Sequence, residues 1–156
     1  MKPIFRTDLS LAILGLGSLV SGILIHYAGH FESHNVWHNL SVLHFFVNVA
    51  FLITTMIHIK QHWGWFRGLL KKSSLKKKVA LFVTIAFLTV SLSGIYLLAF
   101  TEGQGTHAGV VHYVLGLIFG LLAILHLTRR WSVFRKGVFT QPENHNNTGI
   151  SDNQRK

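Results

Sequence analysis

The sequence predicts an all-α integral membrane protein, a four-helix bundle built from a duplicated helix pair, and three observations lead to that class. Apolar residues make up 49% of the 156 residues and charged residues only 13%, far from the balance of a soluble domain. The apolar residues gather in four runs, each close to the ~20 residues that a helix needs to cross a bilayer. The third observation is an internal repeat. The predicted spans are residues 9–27, 37–59, 79–100 and 109–127.

The first span could be mistaken for a secretory signal, because Lys2 and Arg6 precede it. Its apolar core is long, however, and no small-residue cleavage site follows it. We therefore expect a retained transmembrane helix.

The connecting segments alternate in charge, which predicts the orientation of the chain. The segments after the first and third spans contain Glu32 and Glu102 and no Lys or Arg. By the positive-inside rule the basic segments lie in the cytoplasm, so both termini are expected there. The basic residues between the second and third spans are Lys60, Arg67, Lys71, Lys72, Lys76, Lys77 and Lys78, and those after the fourth are Arg129, Arg130, Arg135 and Lys136.

The chain is expected to contain one folded domain, residues 1–139, followed by a tail. Residues 140–156 are polar and lack an apolar period, so they are expected to be disordered. The net charge of +10 does not indicate a nucleic-acid partner, because the basic residues lie in short runs between apolar stretches. Membrane lipid is the expected surrounding.

A shift of 68 positions superposes the second span on the fourth. Histidines, Trp63 with Trp131, Phe66 with Phe134 and Arg67 with Arg135 all coincide in this alignment. The preceding spans resemble each other more weakly, through a shared Ser-Gly-Ile at positions 21–23 and 93–95. A duplicated helix pair, related by a pseudo-twofold axis along the membrane normal, is the natural interpretation.

The duplicated spans carry the residues that indicate chemistry. His44 and His58 are 14 residues apart, as are His112 and His126. At ~100° per residue this spacing returns the side chain to nearly the same helix face, ~21 Å further along the axis. The second and fourth spans are expected to run in the same direction, so His44 should face His112 near the outer surface and His58 should face His126 near the inner surface.

Two facing histidine pairs predict two bis-histidine haem b groups, one in each leaflet, because neutral imidazole is a common axial ligand of haem iron. The chain has no cysteine, which excludes iron-sulfur clusters and covalent haem attachment. The alternative is that the histidines have a structural role only, as polar residues hydrogen-bonded within the bundle. Four intramembrane histidines with matched spacing form a much narrower pattern than one, and such residues are usually retained for function.

Other polar residues are weaker candidates. His62 lies one turn beyond His58 and Arg130 is its repeat counterpart; each is expected to contact a haem propionate, although Arg130 fits a topology anchor equally well. His26, His30, His34 and His38 recur every four residues on the outer side, a spacing that shares a helix face and is compatible with a metal ion. Gly29 and the polar residues near Asn35 are expected to interrupt that helix.

The segments LHFFVNVAFLITTMIHIKQHWGWF and VHYVLGLIFGLLAILHLTRRWSVF resemble the flavinylation-associated cytochrome family of small four-helix di-haem membrane proteins, over nearly all of residues 9–136. The resemblance implies electron transfer to extracytosolic, often flavinylated, partners across a bacterial inner membrane. The family's histidine-tryptophan ending is present as His62-Trp63 but is Arg130-Trp131 in the second half. The histidine spacing also resembles that of larger cytochrome b subunits of quinol-handling complexes, whose additional helices this chain lacks.

Three functions remain open at this stage. The first is a transmembrane electron conduit, the electron-transfer component of an oxidoreductase system and not an independent catalyst, which connects the quinone pool or a cytoplasmic donor with an extracytosolic flavoprotein. The second is a cytochrome b anchor subunit of a periplasmic dehydrogenase or reductase. The third, a histidine-dependent metal or proton transporter, predicts acidic residues within the spans, and Asp8 at the edge is the sole candidate.

Overall fold

A computed structural model of the chain describes residues 3–68, 75–101 and 106–139. In these ranges every regular element is helical, which confirms the all-α class. Four helices are long, and one short helix follows the second. The helices are α1 (Pro3–Phe31), α2 (His34–Gln61), α3 (Trp63–Arg67), α4 (Leu75–Phe100) and α5 (His107–Phe139).

The four long helices are each long and apolar enough to cross a membrane, and their outward faces are apolar. Leu92, Leu98 and Phe100 are 66%, 70% and 74% exposed, whereas the buried apolar side chains of the described part are few. An apolar surface of this extent would make a soluble protein aggregate, but it suits hydrocarbon. The chain is therefore a multi-pass integral membrane protein.

The helices extend beyond the apolar runs that predict them. α1 begins at Pro3 and not at residue 9, and α5 continues to Phe139, well past residue 127. An apolar run marks the part of a helix inside hydrocarbon, and the backbone hydrogen bonds of the helix continue into the aqueous boundary. Proline is well suited to a helix start, because its missing N–H would have no partner there.

The predicted interruption of the outer histidine series is present but lies elsewhere than expected, since Asn35 is within α2. Gly29 lies within α1, and the chain turns at Glu32 and Ser33. A β-carbon at Gly29 would lie 3.6 Å from Cδ1 of Trp37, so the glycine brings α2 close to α1 just before the turn. The predicted tail, residues 140–156, lies outside the described residues.

The helices pack as two antiparallel hairpins joined along one side. α1 packs closely on α2, α4 packs closely on α5, and α1 also packs on α5. Within the described ranges the backbones of α2 and α4 make no comparably close approach, so the bundle is wider along that seam. α2 and α5 lie diagonally across the bundle, and a cavity separates them.

Candidate functional site: a histidine-lined cavity

One cavity of about 2020 Å³ occupies the middle of the bundle. Well-packed interiors have few voids larger than a water molecule, and a site for one small molecule is about 300–1,000 Å³. The cavity extends from Asp8, His62 and Arg130 at the end of the bundle that carries the basic residues, here called the basic end, to His26 and Tyr113 at the opposite or far end. All four histidines of the duplicated spans line it.

His44 of α2 and His112 of α5 face each other across the cavity near the far end. Their ring centroids are 6.3 Å apart and the ring planes are nearly perpendicular, at 85°. Two imidazoles that share one metal ion, each with a metal–nitrogen distance of about 2 Å, have centroids about 6 Å apart. The spacing of this pair therefore fits a bis-histidine metal centre.

Hydrogen bonds with serine hydroxyls favour one tautomer of each of these two imidazole rings. Ser21 Oγ lies 2.8 Å from His44 Nδ1, and Ser93 Oγ lies 2.8 Å from His112 Nδ1. Each hydroxyl already donates its only hydrogen to a backbone carbonyl of its own helix, Ser21 to Gly17 at 2.7 Å and Ser93 to Val90 at 2.8 Å. With its hydrogen on the carbonyl, each serine accepts from the imidazole, which favours the proton on Nδ1 and leaves the Nε2 lone pair available to a metal.

Glycines next to these serines make room for the rings. A β-carbon at Gly22 would lie 3.4 Å from His44 Cε1, and one at Gly94 would lie 3.1 Å from His112 Cε1. In each half of the protein the serine thus favours one tautomer of the histidine, and the glycine lets the imidazole ring lie against the neighbouring helix.

At the basic end His58 is backed by a carboxylate instead of a hydroxyl. His58 Nδ1 and Asp8 Oδ1 are 2.9 Å apart, and both side chains are largely buried. Neither atom makes a hydrogen bond of good angle within the described residues, so the contact is an ion-pair distance with an imperfect angle that a small ring rotation would correct. A carboxylate can only accept, so this contact also favours the proton on Nδ1 and a free Nε2.

His62, Arg130 and His126 complete the basic end. The His62 ring centroid lies 4.7 Å from that of His58, and burial first, then the neighbouring His58, lowers the pKa of His62 below its usual value. His126 lines the same cavity and is within electrostatic range of His58, His62 and Arg130. Ligand atoms of Asp8, His58 and His62 all lie within 4.8 Å of one another, close enough to hold a metal ion.

An aromatic cluster lies midway between the two histidine levels. Phe51 and Phe119, which are equivalent in the repeat, contact each other and Phe87 of α4, with ring centroids 5.9 to 6.1 Å apart. A β-carbon at Gly15 of α1 would lie 3.6 Å from the Phe51 ring. All four long helices therefore meet at this level, and the three rings (Phe51, Phe87 and Phe119) narrow the cavity.

The order of these levels establishes the direction of the helices. His44 lies level with His112 and Phe51 with Phe119, and His58 and His126 share the basic end. The pairs occur in the same order along both chains, so α2 and α5 run parallel, as the repeat predicts.

The outer histidine series is divided between two helices. His26 stacks on Tyr113, with centroids 4.0 Å apart, and His30 Nδ1 contacts the His26 carbonyl at 2.8 Å. His34 and His38 stack on each other in α2, with centroids 6.4 Å apart. In the described part of the chain these residues do not form a group of three ligands.

Sequence reasoning missed the partners of the histidines. Ser21 and Ser93 were visible as a repeated Ser-Gly-Ile, but its offset of 72 differs from the 68 that relates the histidines, so the two signals could not be connected without the packing. Asp8 lies outside the predicted first span, so the sequence did not indicate that it would contact His58 of the neighbouring helix.

The fold and the cavity define a class: a multi-pass membrane four-helix bundle that presents paired histidines to an internal cavity. Comparison with known proteins finds no matching family, no matching curated protein and no matching solved structure.

Proposed function

We propose that this protein is a transmembrane electron-transfer cytochrome that binds two bis-histidine haem b groups, one at each end of the cavity. The observation that carries the proposal is the facing pair itself: the rings of His44 and His112 lie 6.3 Å apart across the cavity, and each Nδ1 lies 2.8 Å from a serine hydroxyl, an arrangement that favours Nε2 as the nitrogen left for a ligand. A histidine with a merely structural role has no need of a free Nε2 in an apolar cavity, where an unpaired polar atom is costly.

Each part of the cavity supplies something that a haem site requires. His44 and His112 would be the ligands at the far end, and His58 and His126 those at the basic end. Arg130 and His62 line the basic end and would contact propionates there, since an arginine fork binds carboxylates well. Bound haem b supplies a one-electron carrier at each level.

The protein's own contribution is to hold these ligands and keep the two levels apart. Serine and aspartate side chains fix ring orientation, and glycines let the rings and a flat group approach the helices. The aromatic cluster (Phe51, Phe87 and Phe119) keeps the levels separate. In this proposal the chain acts as a conduit within an oxidoreductase system.

The proposal includes orientation and partners. With the basic end in the cytoplasm, electrons would pass between a quinone or cytoplasmic-side donor and an extracytosolic partner. The resemblance to flavinylation-associated cytochromes favours a flavoprotein as that partner and a bacterial inner membrane as the location. The same site would serve a cytochrome b anchor subunit of a periplasmic dehydrogenase or reductase equally well.

A reduced-minus-oxidised absorption spectrum with a haem count tests the proposal. We expect a b-type spectrum and two haems per purified chain. The double variant His30→Ala and His34→Ala is a matched control and should keep both, because these histidines lie outside the facing pairs. A protein purified without haem after expression with adequate haem supply would refute the proposal.

One observation favours a second candidate, a site for a transition metal ion formed by Asp8, His58 and His62. Imidazole and carboxylate are suitable ligands for zinc and related ions. This candidate predicts stoichiometric Zn²⁺ binding to the haem-free protein and loss of that binding in His62→Ala. The electron-transfer proposal predicts instead that His62→Ala retains both haems.

A further inference from the structure

The two ends of the cavity differ in the group that backs the histidine. At the far end both Nδ1 atoms meet neutral serine hydroxyls. At the basic end His58 Nδ1 meets the Asp8 carboxylate at 2.9 Å. The offset that superposes Ser21 on Ser93 carries Asp8 onto Ala80. The repeat therefore has a carboxylate in its first half and a methyl group at the equivalent place in its second.

A carboxylate changes a histidine ligand more than a hydroxyl does. The negative charge of a carboxylate next to Nδ1 makes the imidazole more basic and shifts electron density onto the ring, which a neutral hydroxyl does only weakly. A more basic ring donates more strongly to a bound metal and stabilises its oxidised state. The Asp8 and His58 side chains are 24% and 29% exposed, so water screens this contact only in part.

We propose that Asp8, acting through His58, makes the haem at the basic end the lower-potential one of the two. Asp8 is a positioning residue, since it contacts the ligand and not the haem. A single electron shared by the pair then resides at the far end. This inference rests on the proposed function and adds to it an order of potentials that the near-symmetric repeat would not otherwise produce.

The cationic groups at the basic end act in the opposite sense. Arg130 lies within electrostatic range of His62 and His126, and a positive charge favours the reduced state of a nearby metal. Arg130, Arg129 and Lys60 are exposed, so solvent and salt screen their charges strongly. Asp8 touches the ligand directly and is mostly buried, and its effect prevails.

A potentiometric titration of the purified, haem-loaded chain tests the inference. We expect two components in the wild type. Asp8→Asn should raise the lower potential and leave the higher one unchanged, because the amide removes the charge but keeps the shape. Asp8→Glu should restore a value close to that of the wild type. Ser21→Ala is the control at the other end and should move only the higher component.

A gain-of-charge variant keeps the inference testable if Asp8→Asn does not assemble. Ala80→Asp places a carboxylate at the repeat equivalent of Asp8 and should lower the lower component further. Electron paramagnetic resonance of the oxidised protein should show altered g values for one of the two signals in both variants. If Asp8→Asn shifts neither component, or shifts the higher one, the inference is wrong although haem is bound. A chain that binds no haem defeats the proposed function instead.

Discussion

At the scale of single residues, each half of the protein accommodates a histidine inside the bilayer with a serine hydroxyl and a neighbouring glycine. A histidine inside a bilayer is costly unless its polar atoms are used. Ser21 and Ser93 each engage one ring nitrogen of a far-end histidine, and Gly22 and Gly94 make room for the rings. The remaining nitrogen is thereby left available to bind a metal ion.

Pairwise loss of haem is expected when the ligands are removed. His44→Ala and His112→Ala should each lose the same haem, because the two rings face each other at 6.3 Å, and the other haem's spectrum should persist. His58→Ala and His126→Ala should both lose the second haem. Haem counts with resonance Raman spectra would measure this. Loss of the same haem from His44→Ala and His126→Ala would contradict the pairing.

Gly94 should tolerate no side chain. Its β-carbon would lie 3.1 Å from His112 Cε1, closer than carbon atoms normally approach, so Gly94→Ala should displace the ring and weaken its bond with Ser93. We expect reduced occupancy or an altered spectrum of the far-end haem alone. Gly64→Ala is the control, since nothing lies within 4 Å of a β-carbon there. Equal spectra for both variants would show that the ring can shift without cost.

At the scale of elements, α2 and α5 share a pattern of histidine, phenylalanine and histidine at seven-residue intervals. Two turns separate each phenylalanine from each histidine, ~10 Å along the axis and within ~20° of the same face. Each helix therefore presents a histidine, a phenylalanine and a second histidine to the cavity along one face. Phe87 of α4 and the backbone of α1 at Gly15 complete the middle level.

Removing one ring of the aromatic cluster should destabilise the bundle without removing haem. Phe87 is 5% exposed, and replacing a buried phenylalanine with alanine costs about 3–5 kcal/mol in well-packed cores. Phe87→Ala should lower the thermal unfolding temperature of the purified protein at unchanged haem content. Phe82→Ala, on the same helix but 58% exposed, should unfold close to the wild-type temperature. Similar losses for both variants would argue against a packed middle level.

At the scale of the whole molecule, elementary rules applied to the sequence predict the fold, but they predict the candidate site only in part. Four apolar runs and a repeat were enough to predict four helices, the parallel direction of α2 and α5, and the facing of His44 with His112. The role of Asp8 was not predictable, because an apolar run ends where hydrocarbon ends and the helix does not. The positions of Ser21 and Ser93 opposite the rings depend on how α1 and α4 rotate about their axes, which pairwise packing decides.

The orientation in the membrane is a prediction that a single-cysteine chain can test. The sequence contains no cysteine, so Ser74→Cys introduces a unique thiol in the basic segment. A membrane-impermeant thiol reagent should label it only when applied from the cytoplasmic side, because the basic residues around it are retained there. Glu102→Cys should give the reverse pattern. Labelling of Ser74→Cys from outside would reverse the topology.

The aromatic cluster also bears on how the membrane keeps its proton gradient. A water-filled cavity open at both ends of the bundle would let protons cross, and the energy of the gradient would be lost as heat. Three phenylalanine rings and the α1 backbone narrow the middle of the cavity, and an apolar constriction offers water few hydrogen-bond partners. Electrons tunnel through packed aromatic rings, whereas protons need a chain of hydrogen bonds. In the proposed electron-transfer protein, the same three side chains would let electrons pass and hold protons back.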